Sequence, residues 1–174
     1  INYRDLSVQQ LGSIYERLLE YRVVGDGAGQ IQVSPTVFAR KGSGSYYTHD
    51  DLVQMLIRQT VEPLLDERAD AFRQRVDALA RLRSPKSQRL RELQDHDPAA
   101  AILELKICDP AMGSGHFLVS LVDYLADQIL ERMADSTAQL DDRHIVRRMI
   151  LKRVIFGVDK NPMAVELAKV ALWL

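Results

Sequence analysis

Two carboxylates and two glycines carry most of the chemistry this sequence can do. In DPAMGSGHFL, residues 109–118, Asp109 closes an apolar approach made by Leu103, Leu105, Ile107 and Cys108, and Gly113 and Gly115 follow it closely. Neither glycine carries a Cβ and both tolerate positive φ, so the backbone can pass very near a ligand. Ser114 is placed to cap the helix that follows, whose first N–H groups would face a bound molecule. A strand, glycine turn and helix in succession can equally be structural. The second carboxylate, Asp159, ends the run Val154-Ile155-Phe156-Gly157-Val158, which reads as a buried parallel strand. A carboxylate at the C-terminal end of such a strand can accept both hydroxyls of a ribose, or can merely cap the next helix.

Charge selects the ligand class. A dinucleotide site expects G-x-G-x-x-G, with pyrophosphate on the helix N-terminus. Here the third glycine is missing and Asp109 stands before the turn, where it would repel an anion. A ligand bearing an ammonium and a nearby sulfonium would be attracted instead. S-adenosylmethionine is such a ligand, whereas a nicotinamide-dependent oxidoreductase is the reading the missing glycine disfavours.

The elements that must position these groups are legible in outline. In GSYYTHDD, Thr48 followed three residues later by Asp51 forms a start like a capping box, and Leu52, Val53, Leu56 and Ile57 repeat at helical spacing. Tyr46 and Tyr47 then lie on a loop feeding a helix N-terminus, which can receive a carboxylate, although such a pair also suits rim packing on a core. Asn161 and Pro162 read as N-cap and first residue of another helix. Gly115 and Asp159 lie 44 residues apart, with room for a helix over residues 114 to about 134 and a second over 141–153.

With those residues in view, the chain resembles the N6-adenine DNA methyltransferases, in particular the large fused restriction-modification and phage-defence types. Residues 109–118 resemble their S-adenosylmethionine-binding motif. KGSGSYYTHDDLV, residues 41–53, resembles the motif placed before their first strand, with His49 where proline is usual. GVDKNPMAVELAKVALWL, residues 157–174, resembles their second strand and following helix, and LGSIYERLLEY, residues 11–21, a helix that precedes the catalytic domain. The resemblance implies that Asp109, Ala111, Gly113, Ser114 and Gly115 contact the cofactor, that Tyr47 and Thr48 support its methionine end, and that Asp159 holds its ribose. The implied full-length activity is transfer of a methyl group to adenine N6 of double-stranded DNA.

That chemistry needs a further motif. Adenine's exocyclic amine is a poor nucleophile, and the family accepts its hydrogen bonds on an Asp or Asn side chain and a proline carbonyl within Asn-Pro-Pro-Tyr, whose aromatic stacks on the flipped base. No Pro-Pro pair occurs in the 174 residues, and Asn161-Pro162-Met163 lacks the second proline and the aromatic. The chain is therefore expected to be the cofactor-binding front of a methyltransferase, cut at both ends and inactive alone. A portion of an enzyme methylating ribosomal RNA or a protein glutamine, and a non-catalytic cofactor-sensing scaffold, are the alternative functions.

Composition bounds the rest. At 174 residues and 47% hydrophobic content the chain can bury a sizeable core. A net charge of −1 is not the footprint of a nucleic-acid-binding module, so DNA contacts are expected mainly outside this chain. The basic clusters Arg81, Arg83, Lys86, Arg89, Arg91 and Arg143, Arg147, Arg148, Lys152, Arg153 read as solvated helix faces. A single cysteine, Cys108, excludes a disulfide framework, reads as a small core residue and suits a reducing, cytoplasmic setting. The four histidines show no metal-ligand spacing, so no metal is expected, and no segment has the length of a membrane span.

The expected architecture is α/β: a partial Rossmann-like methyltransferase fold, limited to its first two parallel strands, with a helical N-terminal layer. Residues 1–97 form the helical region and 98–174 the first half of the cofactor domain. An amphipathic helix is expected from residue 7 to about 21, with Leu11, Ile14, Tyr15, Leu18 and Leu19 on one face. Gly25, Gly27 and Gly29 mark a turn flanked by strand-like pieces at 31–33 and 37–39. Residues 49–83 read as helical with a kink or restart at Pro63, residues 84–96 as a charged connection, and Asp97-Pro98 as the start of a short helix. Half a sheet leaves an apolar edge, which is expected to favour self-association.

Overall fold

The computed structural model describes residues 10, 12, 14, 17, 21–25, 30–35, 48–81, 85–94, 97–133 and 141–173. These residues form a mixed α/β arrangement, mostly helical, with two small sheets. The chain divides into two compact units. One comprises Ile1–His49, Asp109–Val119 and Gly157–Leu174, the other Asp50–Cys108 and Ser120–Phe156.

In the second unit, helix α1 (Asp50–Thr60) carries Asp50 and Asp51 in its first turn and Arg58 in its last, which matches the helix dipole at both ends. Val53 and Ile57, four residues apart on one face, are buried. The chain turns at Val61 and restarts as α2 (Glu62–Arg81), with Pro63 in the first turn, where its missing N–H costs no intrahelical bond. Lys86–Gln94, expected to be a charged connection, is instead helix α3. Its apolar residues are too few for an amphipathic pattern, but Lys, Gln, Arg, Leu and Glu are all good helix formers, and an ion pair between Arg75 and Glu92 joins it to α2. Asp97 caps α4 (Pro98–Ile102) by accepting the Ala99 amide at 2.9 Å, and the Arg68 guanidinium donates to the carbonyl of Ala101 at 2.6 Å.

Two further helices complete this unit's core. Leu121, Val122, Leu125, Ala126 and Ile129 are buried along α5 (His116–Met133), and Val146 and Ile150 along α6 (Asp141–Arg153). Asp123 and Asp127, one turn apart on α5, pair with Arg147 and Arg143 on α6. Two of the five residues of that basic cluster are thus bound to a neighbouring helix, whereas Arg148, Lys152 and Arg153 are exposed.

Strand β3 (Ile107–Asp109) pairs with β4 (Ile155–Gly157). The Ile107 amide bonds to the Val154 carbonyl at 2.8 Å and the Val158 amide to the Asp109 carbonyl at 2.9 Å, so partner numbers climb together and the pair is parallel. The Lys106 ammonium donates to the Arg153 carbonyl at 2.5 Å just before the ladder begins. Val154 and Ile155 are buried, but Phe156 and Val158 are exposed, as is Cys108. The expectations of a fully buried strand and a core cysteine are therefore corrected: no described residue covers Phe156, Val158 or Cys108.

In the first unit, β1 (Tyr21–Gly25) and β2 (Ile31–Pro35) form an antiparallel hairpin, with Tyr21 opposite Pro35 and Val23 opposite Val33. The expected helix extended through Tyr21, whereas that residue opens a strand; β-branched Val23 and Val24 favour the extended form. Gln10, Gly12, Ile14 and Arg17 are helical as expected, yet Ile14 is 46% exposed rather than turned inward. The expected strand at 37–39 lies outside the described residues. Helix α7 (Pro162–Trp173) follows β4 and buries Ala164, Ala168 and Ala171 on one face. Among the described residues no helix is long and apolar enough to cross a membrane.

Candidate functional site

The residues singled out in the sequence meet within the first unit, where β3 and β4 end. After Asp109 the chain turns at once, and the Asp109 Oδ1 accepts the Ala111 amide at 3.0 Å. The Met112 amide then bonds to the Val158 carbonyl at 3.0 Å, which carries the turn across to the neighbouring strand. At Gly113 the backbone enters the left-handed region, φ +53°, and its amide donates to Asp159 Oδ2 at 2.9 Å. The other oxygen of that carboxylate, Oδ1, accepts the Asn161 amide at 2.8 Å. Asn161 caps α7 through its own side chain, which accepts the Met163 amide at 3.0 Å.

Gly113 and Gly115 serve different ends. A Cβ on Gly113 would meet no described residue within 4 Å, so its backbone faces open space among the described residues. Gly115, φ +83°, is buried, and a Cβ there would lie 3.0 Å from the Cβ and 3.1 Å from the Cα of Ala168. One glycine leaves the turn accessible; the other lets α7 pack against it. The helix cap also shifts by one residue from the expected Ser114. The Gly115 carbonyl accepts the Val119 amide at 2.9 Å, so Gly115 occupies the N-cap position of α5.

The structure therefore brings together Asp109, Ala111, Gly113, Ser114, Gly115 and Asp159. Thr48 is half-buried just ahead of α1, and Tyr47 lies outside the described residues. Three residues escaped sequence reasoning. Met112 ties the turn to Val158; Ala168 receives Gly115; and Gly157 leaves room for Met112, whose sulfur a Cβ at 157 would overlap, with Leu118 Cδ1 at 2.8 Å. A glycine inside an otherwise apolar strand signals such a close approach, so Gly157 was detectable.

Chemically, the site offers two carboxylates at adjacent parallel strand ends and a backbone turn without a side chain between them. Each carboxylate oxygen has two acceptor positions, so Asp159 keeps capacity beyond the two amides it holds, and Asp109 keeps more. Such a set suits hydroxyls and cations, not anions.

The comparisons with known proteins point the same way. Over 182 residues the chain is 29% identical to a protein of Methanocaldococcus jannaschii assigned as a type II restriction enzyme and methyltransferase. The alignment covers 98% of this chain but 14% of that protein, so the chain spans about one seventh of its relative's length. No solved structure matches the chain. Residues 99–174 match the family described as N-6 DNA Methylase. That matched stretch holds the glycine turn and both aspartates.

Proposed function

We propose that this chain forms the S-adenosylmethionine-binding part of a DNA methyltransferase that methylates adenine N6 in a restriction-modification or phage-defence system. The observation that carries the reading is the Asp159 carboxylate seated on the Gly113 amide, at the common end of two parallel strands. That edge is where open α/β sheets take their ligands. The residues fit the cofactor, because a Cβ on Gly113 would stand in space empty of described residues and a ligand can take that space against bare backbone.

In this reading residues 98–174 are the opening half of a Rossmann-like cofactor domain and 1–97 a helical region with a hairpin. When bound, the cofactor supplies a methyl group activated on sulfonium. The chain's own residues bind and orient it. Asp109 faces the ammonium, Asp159 accepts ribose hydroxyls, and the turn from Ala111 to Gly115 lets the ligand approach the main chain. Tyr47 and Thr48 support the ligand's methionine end. Since the chain lacks a Pro-Pro pair, the groups that accept hydrogen bonds from the adenine amine, and most DNA contacts, belong to other residues of the full protein.

Titration calorimetry on the 174-residue chain and on the full protein tests this. S-adenosylmethionine is expected to bind and NAD not to bind, with Asp109→Ala and Asp159→Ala each weakening the full protein about tenfold or more, the scale of one lost hydrogen bond to a charged group. Binding unaffected by both substitutions would overturn the site assignment.

A further inference from the structure

The glycine turn has a neighbour well outside residues 99–174. Gln10, Ile14 and Arg17, spaced to share one helix face, are exposed, whereas Gly12, on the other side, is buried. A Cβ on Gly12 would lie 2.8 Å from Ser114 Oγ and 3.7 Å from Ser114 Cβ. Among the described glycines only Gly113 and Gly115 have positive φ, so backbone conformation does not require glycine at position 12. Glycine within a helix is disfavoured relative to alanine. What remains is the close approach to Ser114.

We propose that Gly12 is a positioning residue for the cofactor turn: the helix backbone at Gly12 lies against the Ser114 hydroxyl and sets its direction, so Gly12 borders the site built by residues 109–118. Gly12 and Ser114 belong to the same compact unit. A displacement of this helix is then felt at the turn between the two aspartates. The inference rests on the cofactor reading only for its binding readout.

A double-mutant cycle on the 174-residue chain separates this from a general helix effect. Gly12→Ala is expected to shift the Ser114 and Gly115 amide resonances in the ligand-free protein and to weaken S-adenosylmethionine binding roughly threefold to tenfold. In the Ser114→Ala background, where the Oγ is gone, the same substitution is expected to change neither. Alanine raises helix propensity equally in both backgrounds, so a propensity effect would show no such rescue. Unmoved amide resonances in Gly12→Ala, or equal perturbation in both backgrounds, would overturn the proposal. If the resonances behave as expected but the unsubstituted chain binds no S-adenosylmethionine, the positioning role stands and the cofactor reading falls.

Discussion

Asp159 reaches from the end of one strand to the turn that follows its neighbour, its Oδ2 accepting the Gly113 amide at 2.9 Å. A residue expected either to hold a ribose or to cap a helix thus also ties down the neighbouring glycine turn. Asp159→Ala removes the acceptor of two amides, and since hydrogen bonds to charged groups contribute about 1.5–3 kcal/mol each when well shielded, a half-buried pair predicts a loss of about 1–3 kcal/mol. Amide exchange at Gly113 should quicken in the ligand-free chain, while Asp159→Asn, which keeps one acceptor oxygen, should fall between. Unchanged exchange at Gly113 in the alanine variant would mean the contact is absent in solution.

The two turn glycines should separate stability from access. Gly115→Ala meets both the positive-φ penalty and the backbone of Ala168, which together predict a loss of about 2–4 kcal/mol. Gly113→Ala meets only the conformational penalty, about 1–2 kcal/mol, but puts a methyl group into the open space beside the turn. Urea denaturation should show the larger midpoint shift for position 115, and ligand titration the larger affinity loss per unit of stability for position 113. Equal midpoint shifts would contradict this packing.

The charge ladder between α5 and α6 should be modest and salt-dependent. Arg147 and Asp123 have side chains 21% and 39% exposed, and Arg143 and Asp127 are 38% and 50% exposed, so solvent screens both pairs. A coupling of about 0.5–1 kcal/mol is expected from an Arg147→Ala, Asp123→Ala cycle at low ionic strength, shrinking in high salt. A coupling unaffected by salt would be inconsistent with this degree of exposure.

Tyr124 should mark the alkaline limit of the fold. Burial pushes its phenol above the ordinary value of 10.0, with the negative charge of Glu62 adding to the effect. The folded chain therefore keeps a proton that the unfolded chain releases. Its contribution to stability is complete below the unfolded value and is lost as pH rises through the folded one. Tyr124→Phe should flatten the fall in melting temperature above about pH 10, the ordinary tyrosine value, and remove the last-titrating component of the phenolate absorbance. An unaltered alkaline slope in Tyr124→Phe would refute the assignment.

The turn's local features could be read from residues alone because they follow from bonded geometry: an aspartate before two glycines, an Asn-Pro helix start, an Asp-Pro cap. Asp97 and Asn161 both cap as their positions require, and α5 and α6 span nearly the expected residues. Polar helix α3 was not legible, since periodicity reports only helices with an apolar stripe. Strand β1 was missed because a few β-branched residues at the tail of a helical pattern leave local signals divided.

What the sequence by itself determined is the chemistry on offer: which residues carry carboxylates, where the main chain can bend, and which ends can start a helix. Only the tertiary structure decided the partners. That Asp159 holds Gly113, that Gly115 lies on Ala168 and that Gly12 stands against Ser114 all join residues distant in the chain. Such pairings depend on how strands and helices pack, and packing distances of a few tenths of an ångström are set by the whole assembly of neighbours, which no local pattern encodes.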